Sequence, residues 1–233
     1  KINKEINIEL KTVKFLLNPF DLSVNIKTTA PKVIVQDNEL KLEFIKTNIS
    51  LKAFINNSFS IDDLQVSTKA IELSDFINFI RLLKNSTELF LLDKIIKDGF
   101  LVADIKLNFD DNGKIKNNYE IKGFIKKGKL DFFKKYNIED LNLLFKIKNN
   151  EYLIEDITTK FNQIKLSSQF IKIIQKNNLF LVSGNAANIE KDIDLKLFNI
   201  FFEQNLKDLL VENFSLISDN NFKFSVNKKL KIS

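Results

Sequence analysis

Apolar residues recur at every second position along most of this chain, and that period limits the fold more than any other feature. Successive side chains of a strand point to opposite faces, so alternation marks strands with one buried face. Ile6, Ile8 and Leu10 alternate with polar neighbours. So do Leu22, Val24 and Ile26, then Leu40, Leu42 and Phe44, then Ile49, Leu51 and Ala53. The longest run is Leu101, Ala103, Ile105, Leu107 and Phe109, followed by Asp110-Asp111-Asn112-Gly113. Asn-Gly suits a tight hairpin turn, and the chain is expected to return through Ile115, Tyr119, Ile121, Gly123 and Ile125. Further strands are expected at 138–148, 152–161, 164–174, 179–187, 214–218 and 222–232. Consecutive strands with short connections imply an antiparallel meander. With five Gly and two Pro in 233 residues, Asn, Asp and Lys must make most of the turns.

Helices are the minority. Ser74 is expected to cap one that carries Phe76, Ile77, Ile80 and Leu83 on one side. Ser86 is expected to cap a second, with Leu89, Leu92, Ile95 and Ile96 inward and Gly99 as its stop. A third is expected over 192–210. Each would pack on the sheet or plug the end of a groove.

One unit repeats. Phe59-Ser60-Ile61-Asp62-Asp63-Leu64-Gln65-Val66 reads like Tyr136-Asn137-Ile138-Glu139-Asp140-Leu141-Asn142-Leu143. Tyr152 to Ile157 continues the theme, and Leu210 to Leu216 is a weaker copy. In each, apolar alternation meets two polar residues and resumes on the other parity. An unbroken strand would then turn half of its apolar residues to the wrong face. A bulge at the polar pair repairs this by adding one residue, and it also bends and twists the strand. Such bulges would coil one long sheet into a curved groove.

Composition excludes much chemistry. The chain has no Cys and no His, so disulfides, thiolate and imidazole metal sites, and Ser-His-Asp or Cys-His catalysis are all impossible within it. Paired carboxylates such as Asp62-Asp63 could do acid–base work, but three copies of one acidic pair point to structure. Asp110 to Gly113 lacks the spaced ligands of a calcium loop. The net charge is +6, but the lysines are dispersed among apolar residues. This pattern fits a solvated outer sheet face, not a nucleic-acid footprint. No apolar stretch reaches the roughly 18 residues of a membrane-spanning helix. The chain contains no Met and is expected to be part of a longer protein: one elongated segment, 1–233, with a helical insertion at 74–97.

The sequence resembles the AsmA-like superfamily of cell-envelope proteins, the AsmA, TamB and YhdP type. The recurrent aromatic-x-Ile-acidic-Asp-Leu-x-apolar unit carries the likeness. So do Ile164-Lys165-Leu166-Ser167-Ser168 followed by Leu181-Val182-Ser183-Gly184-Asn185-Ala186, and the helical insertion at 74–97 ahead of Gly99 to Ile105. The motifs are loose apolar patterns covering the chain from about residue 40 onward, and no binding residue transfers individually. The resemblance implies a non-enzymatic periplasmic protein, anchored in the inner membrane outside this segment. It would shield phospholipid acyl chains in a β-groove for transport toward the outer membrane, with outer-membrane components as further partners. No cofactor, metal or nucleic acid is implied. The fold class expected is mainly β, a long twisted antiparallel sheet curved into an open groove. The residues expected to line it are Leu101, Ala103, Ile105, Leu107, Phe109, Ile121, Ile125, Leu141, Leu143, Phe145 and Ile147. The alternative is a structural β-sandwich or adhesion module, in which the same residues fill a solid core and bind nothing.

Overall fold

The structure is a computed structural model that describes residues 6–56, 58, 60–83, 86–132, 136–176, 179–194 and 213–227. Its strands belong to one large antiparallel sheet that is not closed into a barrel. The N-terminal strands are β1 (Ile6–Glu9), β2 (Thr12–Asn18), β3 (Ser23–Thr29), β4 (Lys32–Val35) and β5 (Asn38–Ser50). After α1 (Leu51–Ile55) come β6 (Ile61–Thr68), the two-residue β7 (Ile71–Glu72), α2 (Leu73–Leu83) and α3 (Thr87–Ile95). The rest is strand: β8 (Ile96–Asn108), β9 (Glu120–Phe132), β10 (Tyr136–Lys148), β11 (Glu151–Phe161), β12 (Ile164–Lys176), β13 (Leu179–Asp194) and β14 (Asn213–Asn227).

From β8 to β14 each strand pairs with the next, giving the expected meander. At the other end β5 is long enough to serve two partners on one edge. Its first half pairs with β4 and its second with β3, which in turn carries β2. Its opposite edge pairs with β6, and β6 pairs with β8.

The bulges fall at the polar pairs. Between β5 and β6 the register steps from Asn48–Asp63 to Ile49–Ile61, which leaves Asp62 as the extra residue. Between β10 and β11 two bulges face each other, with Asp140 extra on one strand and Asp156 on the other. Both residues adopt a left-handed φ of 52°. Asp tolerates this region better than most side chains. The sequence carries a further such signal at Lys126-Lys127. There the apolar parity also flips, from Ile121 and Ile125 to Leu130 and Phe132. Lys127, with φ of 54°, is extra against both β8 and β10. Beyond these bulges Ile96, Leu130, Ile138, Phe161 and Ile164 sit opposite one another, and Tyr136 stacks on Phe161 at 5.8 Å.

Several expectations need correction. Leu51 and Ala53 are not strand residues, because the chain turns into α1 directly after Ser50. The helix expected to be capped by Ser74 already starts at Leu73. Ser86 does cap α3, its Oγ accepting from the Leu89 N–H at 3.4 Å. That helix ends at Ile95, however, and passes straight into β8. Gly99 is a strand residue with φ of 123° whose Cα side lies against Gly128, a position no Cβ could occupy. The turn after Phe109 is built by Asp110, whose Oδ1 accepts from the Asn112 and Lys114 N–H groups at 2.9 Å. Phe109 and Ile115 form one isolated bridge, and ladder pairing resumes only at Glu120, so Ile115 and Tyr119 are not in the return strand. At the C-terminus one strand runs over 213–227 where two were expected. For the helix expected over 192–210, residues 192–194 continue β13 and 195–210 lie outside the described residues. In the fourth repeat, Glu212 also lies outside them, and the local register shift falls on β13 between Glu190 and Ile193.

The buried core is small and local. Ile77 and Phe79 of α2 are buried, and Phe79 clusters with Val35, Leu40, Leu42 and Ile71. Leu73 clusters with Leu101 and Ala103. Arg81 ties α2 to α3 through Asp93 at 2.5 Å and lies over the Phe90 ring.

Candidate functional site

Residues directly opposite one another in an antiparallel ladder project from the same face of the sheet. Following the register from strand to strand therefore reads out what each face presents. One such path begins at Val13 on β2 and passes to Thr28 on β3, Ile45 on β5 and Val66 on β6. It continues through Ile105 on β8, Ile121 on β9 and Ile147 on β10. It ends with Tyr152 on β11, Ile173 on β12, Val182 on β13 and Phe224 on β14. Nothing in this row is charged. Its one small polar residue, Thr28, returns its hydroxyl to the Ile45 backbone, donating to the C=O at 3.3 Å and accepting from the N–H at 3.2 Å.

The path one residue away lies on the opposite face. It reads Lys14, Lys27, Lys46, Gln65, Lys106, Glu120, Lys148, Glu151 before turning apolar at Ile174 and Leu181. These two rows therefore differ almost completely over eight strands, although the second face also carries Val102, Phe124, Leu144 and Phe170 in a neighbouring row. Directly opposed lysines repel. Around β9 to β12 the charges are matched, with Lys146 on Glu120 at 3.0 Å and Lys172 on Glu151 at 3.1 Å. The Lys146 ammonium hydrogen-bonds the Glu120 carboxylate and holds its pKa below the usual range. Lys129 does the same for Glu139, and Lys160 for Asp140 at the bulge.

A second uncharged row runs beside the first: Ala103, Gly123, Phe145, Ile154, Ile171, Gly184 and Phe222. Its two glycines are used alike. The Phe145 ring lies over Gly123 and the Phe222 ring over Gly184. A Cβ at Gly123 would stand 2.1 Å from the Val102 carbonyl oxygen, and one at Gly184 would stand 2.5 Å from that of Phe170. Here the backbone approaches its neighbour closely and an aromatic ring covers the gap.

The residues expected to line a groove fall into three groups. Ile105, Ile121 and Ile147 belong to the first row and Phe145 to the second, all partly exposed. Leu101, Ile125 and Leu143 sit opposite one another in a third row. Leu101 and Ala103 are 5 % and 2 % exposed beneath Leu73 and Phe76 of α2, so they are packed core and not open lining. Leu107 faces Leu64, Phe109 lies past the strand end, and Leu141 sits beyond the bulge, opposite Gly128. Sequence reading missed Val66, Tyr152, Ile154, Ile171, Ile173, Val182, Phe222 and Phe224. Their alternation was visible within each strand, but their membership of one row depends on register.

No family model, curated protein or solved structure matches this chain. The site is therefore described by its own chemistry. Among the described residues no group of three or more His, Cys, Asp or Glu side chains could hold a metal ion, and no helix is long and apolar enough to cross a membrane. A depression of about 390 Å³ lies across β5, β6, β8 and β9 and is lined by Gln65, Ser67, Asp104, Lys106, Glu120 and Lys122. Its only apolar lining is Phe44, Val66 and Ile105. The two uncharged rows lie on the other face of the sheet.

Proposed function

We propose that this chain is a non-enzymatic lipid-binding segment of an AsmA-like periplasmic protein. It shields phospholipid acyl chains on the apolar face of its open sheet during transfer between membranes. The observation that carries this reading is the uncharged row from Val13 to Phe224, backed by a charged row one residue away. A row of this kind is costly to leave in water. A filled β-sandwich core would bury it under a second sheet, yet Ile105, Ile121, Ile147, Ile173 and Val182 remain partly exposed and every described strand belongs to one sheet. Acyl chains need no hydrogen-bond partners and gain about 0.8 kcal/mol per buried CH₂. Anchorage in the inner membrane through a part outside this chain, and contact with outer-membrane components, belong to the same proposal.

The test uses neighbouring residues of β13 that face opposite ways. Val182 is in the apolar row, whereas Ser183 lies opposite Lys172 and Lys223 on the charged face. Chain purified gently from cells should yield stoichiometric phospholipid on extraction and mass spectrometry. Val182→Asp should lose it, and Ser183→Asp should keep it. Lipid-free wild-type protein with a sharp thermal transition would instead support an inert scaffold.

A further inference from the structure

The apolar face is not equally open along its length. Helix α2 lies on it: its Phe79 is buried with Val35, Leu40, Leu42 and Ile71, and Phe76, Ile80, Ile45 and Val66 pack against that cluster. Leu73 is buried with Leu101 and Ala103, and Phe76, Ile125 and Phe145 pack against that cluster. The substantial contacts of α2 and α3 with strands go no further than β9. Beyond it, among the described residues, the two rows cross β10 to β14 with no substantial helix contact.

We infer that this uncovered stretch is a bounded acyl-chain site that ends against α2 and takes one diacyl lipid. The inference rests on the proposed lipid-binding reading and adds its boundary and capacity. Five strands at about 4.8 Å spacing give a strip about 19 Å long. One leaflet of a bilayer, half of the roughly 30 Å hydrocarbon core, is spanned by one acyl chain, so a chain laid across the strands fits with some length to spare. Successive residues on one face are about 6.8 Å apart along a strand. The row from Ile147 to Phe224 and the row from Phe145 to Phe222 therefore offer two parallel tracks. Neither track carries a charge, and the Phe145 ring, packed against the α2 cluster, stands at the closed end. Strands β5 and β6 continue the apolar row, but there Ile45 and Val66 pack against the buried cluster to which α2 contributes Phe79.

The test uses the unaltered 233-residue chain and a phosphatidylethanolamine probe with a photoreactive diazirine near the end of one acyl chain. After illumination, labelled peptides are mapped and bound lipid is counted by native mass spectrometry. The expected result is one lipid per chain, with adducts on peptides containing Ile147, Ile173, Val182 and Phe224 and none on those containing Ile45 or Val66. Equal labelling of Ile45 and Val66 peptides would overturn the boundary at α2 while leaving lipid binding in place. Two or more lipids per chain would overturn the capacity. Labelling that is absent, or that follows the charged face, would overturn both this inference and the reading beneath it.

Discussion

Gly123 and Gly184 occupy equivalent places in one row, each beneath a Phe ring from the next strand and each pressed toward a backbone carbonyl on the other side. A methyl group there has no flexible neighbour to displace, because the nearest atom is backbone. Gly123→Ala should therefore destabilise the fold by about 1–3 kcal/mol, the usual cost of overpacking, read as a lower denaturant midpoint. A midpoint equal to wild type would show that the β8–β9 backbones are not held this closely. Composition listed both glycines but could not say which would need to lack a side chain. That requirement arises from the partner strand's carbonyl, which no local sequence window contains.

At the scale of elements, the bulges are the devices that keep apolar residues on one face while sequence parity changes. The acidic pairs at Asp62-Asp63, Glu139-Asp140 and Glu155-Asp156 were legible because the parity flip is a local pattern. Lys127 performs the same task with a side chain poorly suited to φ of 54°. Its N–H is held by Asn142 Oδ1 at 3.1 Å, a contact any residue except Pro could make. Left-handed geometry costs a non-Gly residue roughly 1–2 kcal/mol, partly offset in the unfolded chain when Gly is introduced. Lys127→Gly should thus raise stability by up to about 1 kcal/mol. Lys127→Val, with its branched Cβ, should lower it, and thermal melting of the two variants side by side decides the matter. If both variants destabilise equally, the Lys side chain itself contributes more than the backbone geometry.

The charged face belongs to the whole molecule. Lysines lower the carboxyl pKa values of Glu39, Glu120, Glu139 and Asp140 through hydrogen bonds. Backbone N–H groups do the same for Asp110. A depressed carboxylate contributes stability that is fully present above its unfolded value, 4.5 for Glu or 3.8 for Asp, and is lost as pH falls through the lower folded value. Lys32, Lys129 and Lys160 are raised above 10.5. Their contribution is present below 10.5 and lost as pH rises through the folded value. The melting temperature should therefore be level across neutral pH, fall on acidification below about 4.5 and fall again on strong alkalinisation. These pairs are exposed, so added salt should shrink both declines. A melting temperature that rose on acidification would contradict this account.

Period-two alternation, turn-forming Asn and Asp, and the parity flips determined by themselves that this chain forms a mainly β, antiparallel meander with bulges, because each is a short-range property of the backbone. The Ser86 cap and the two central helices were legible for the same reason. Only the tertiary structure decided the register that aligns Val66, Ile105, Ile121, Ile147, Tyr152, Ile173, Val182 and Phe224 into one row. Alternation says that a residue faces one side, but not which residue on the next strand it meets. The structure also decided where α2 settles, since its apolar side could have packed on any stretch of that face. By covering Leu101 and Ala103 it made core of residues that alternation alone could not tell from open surface.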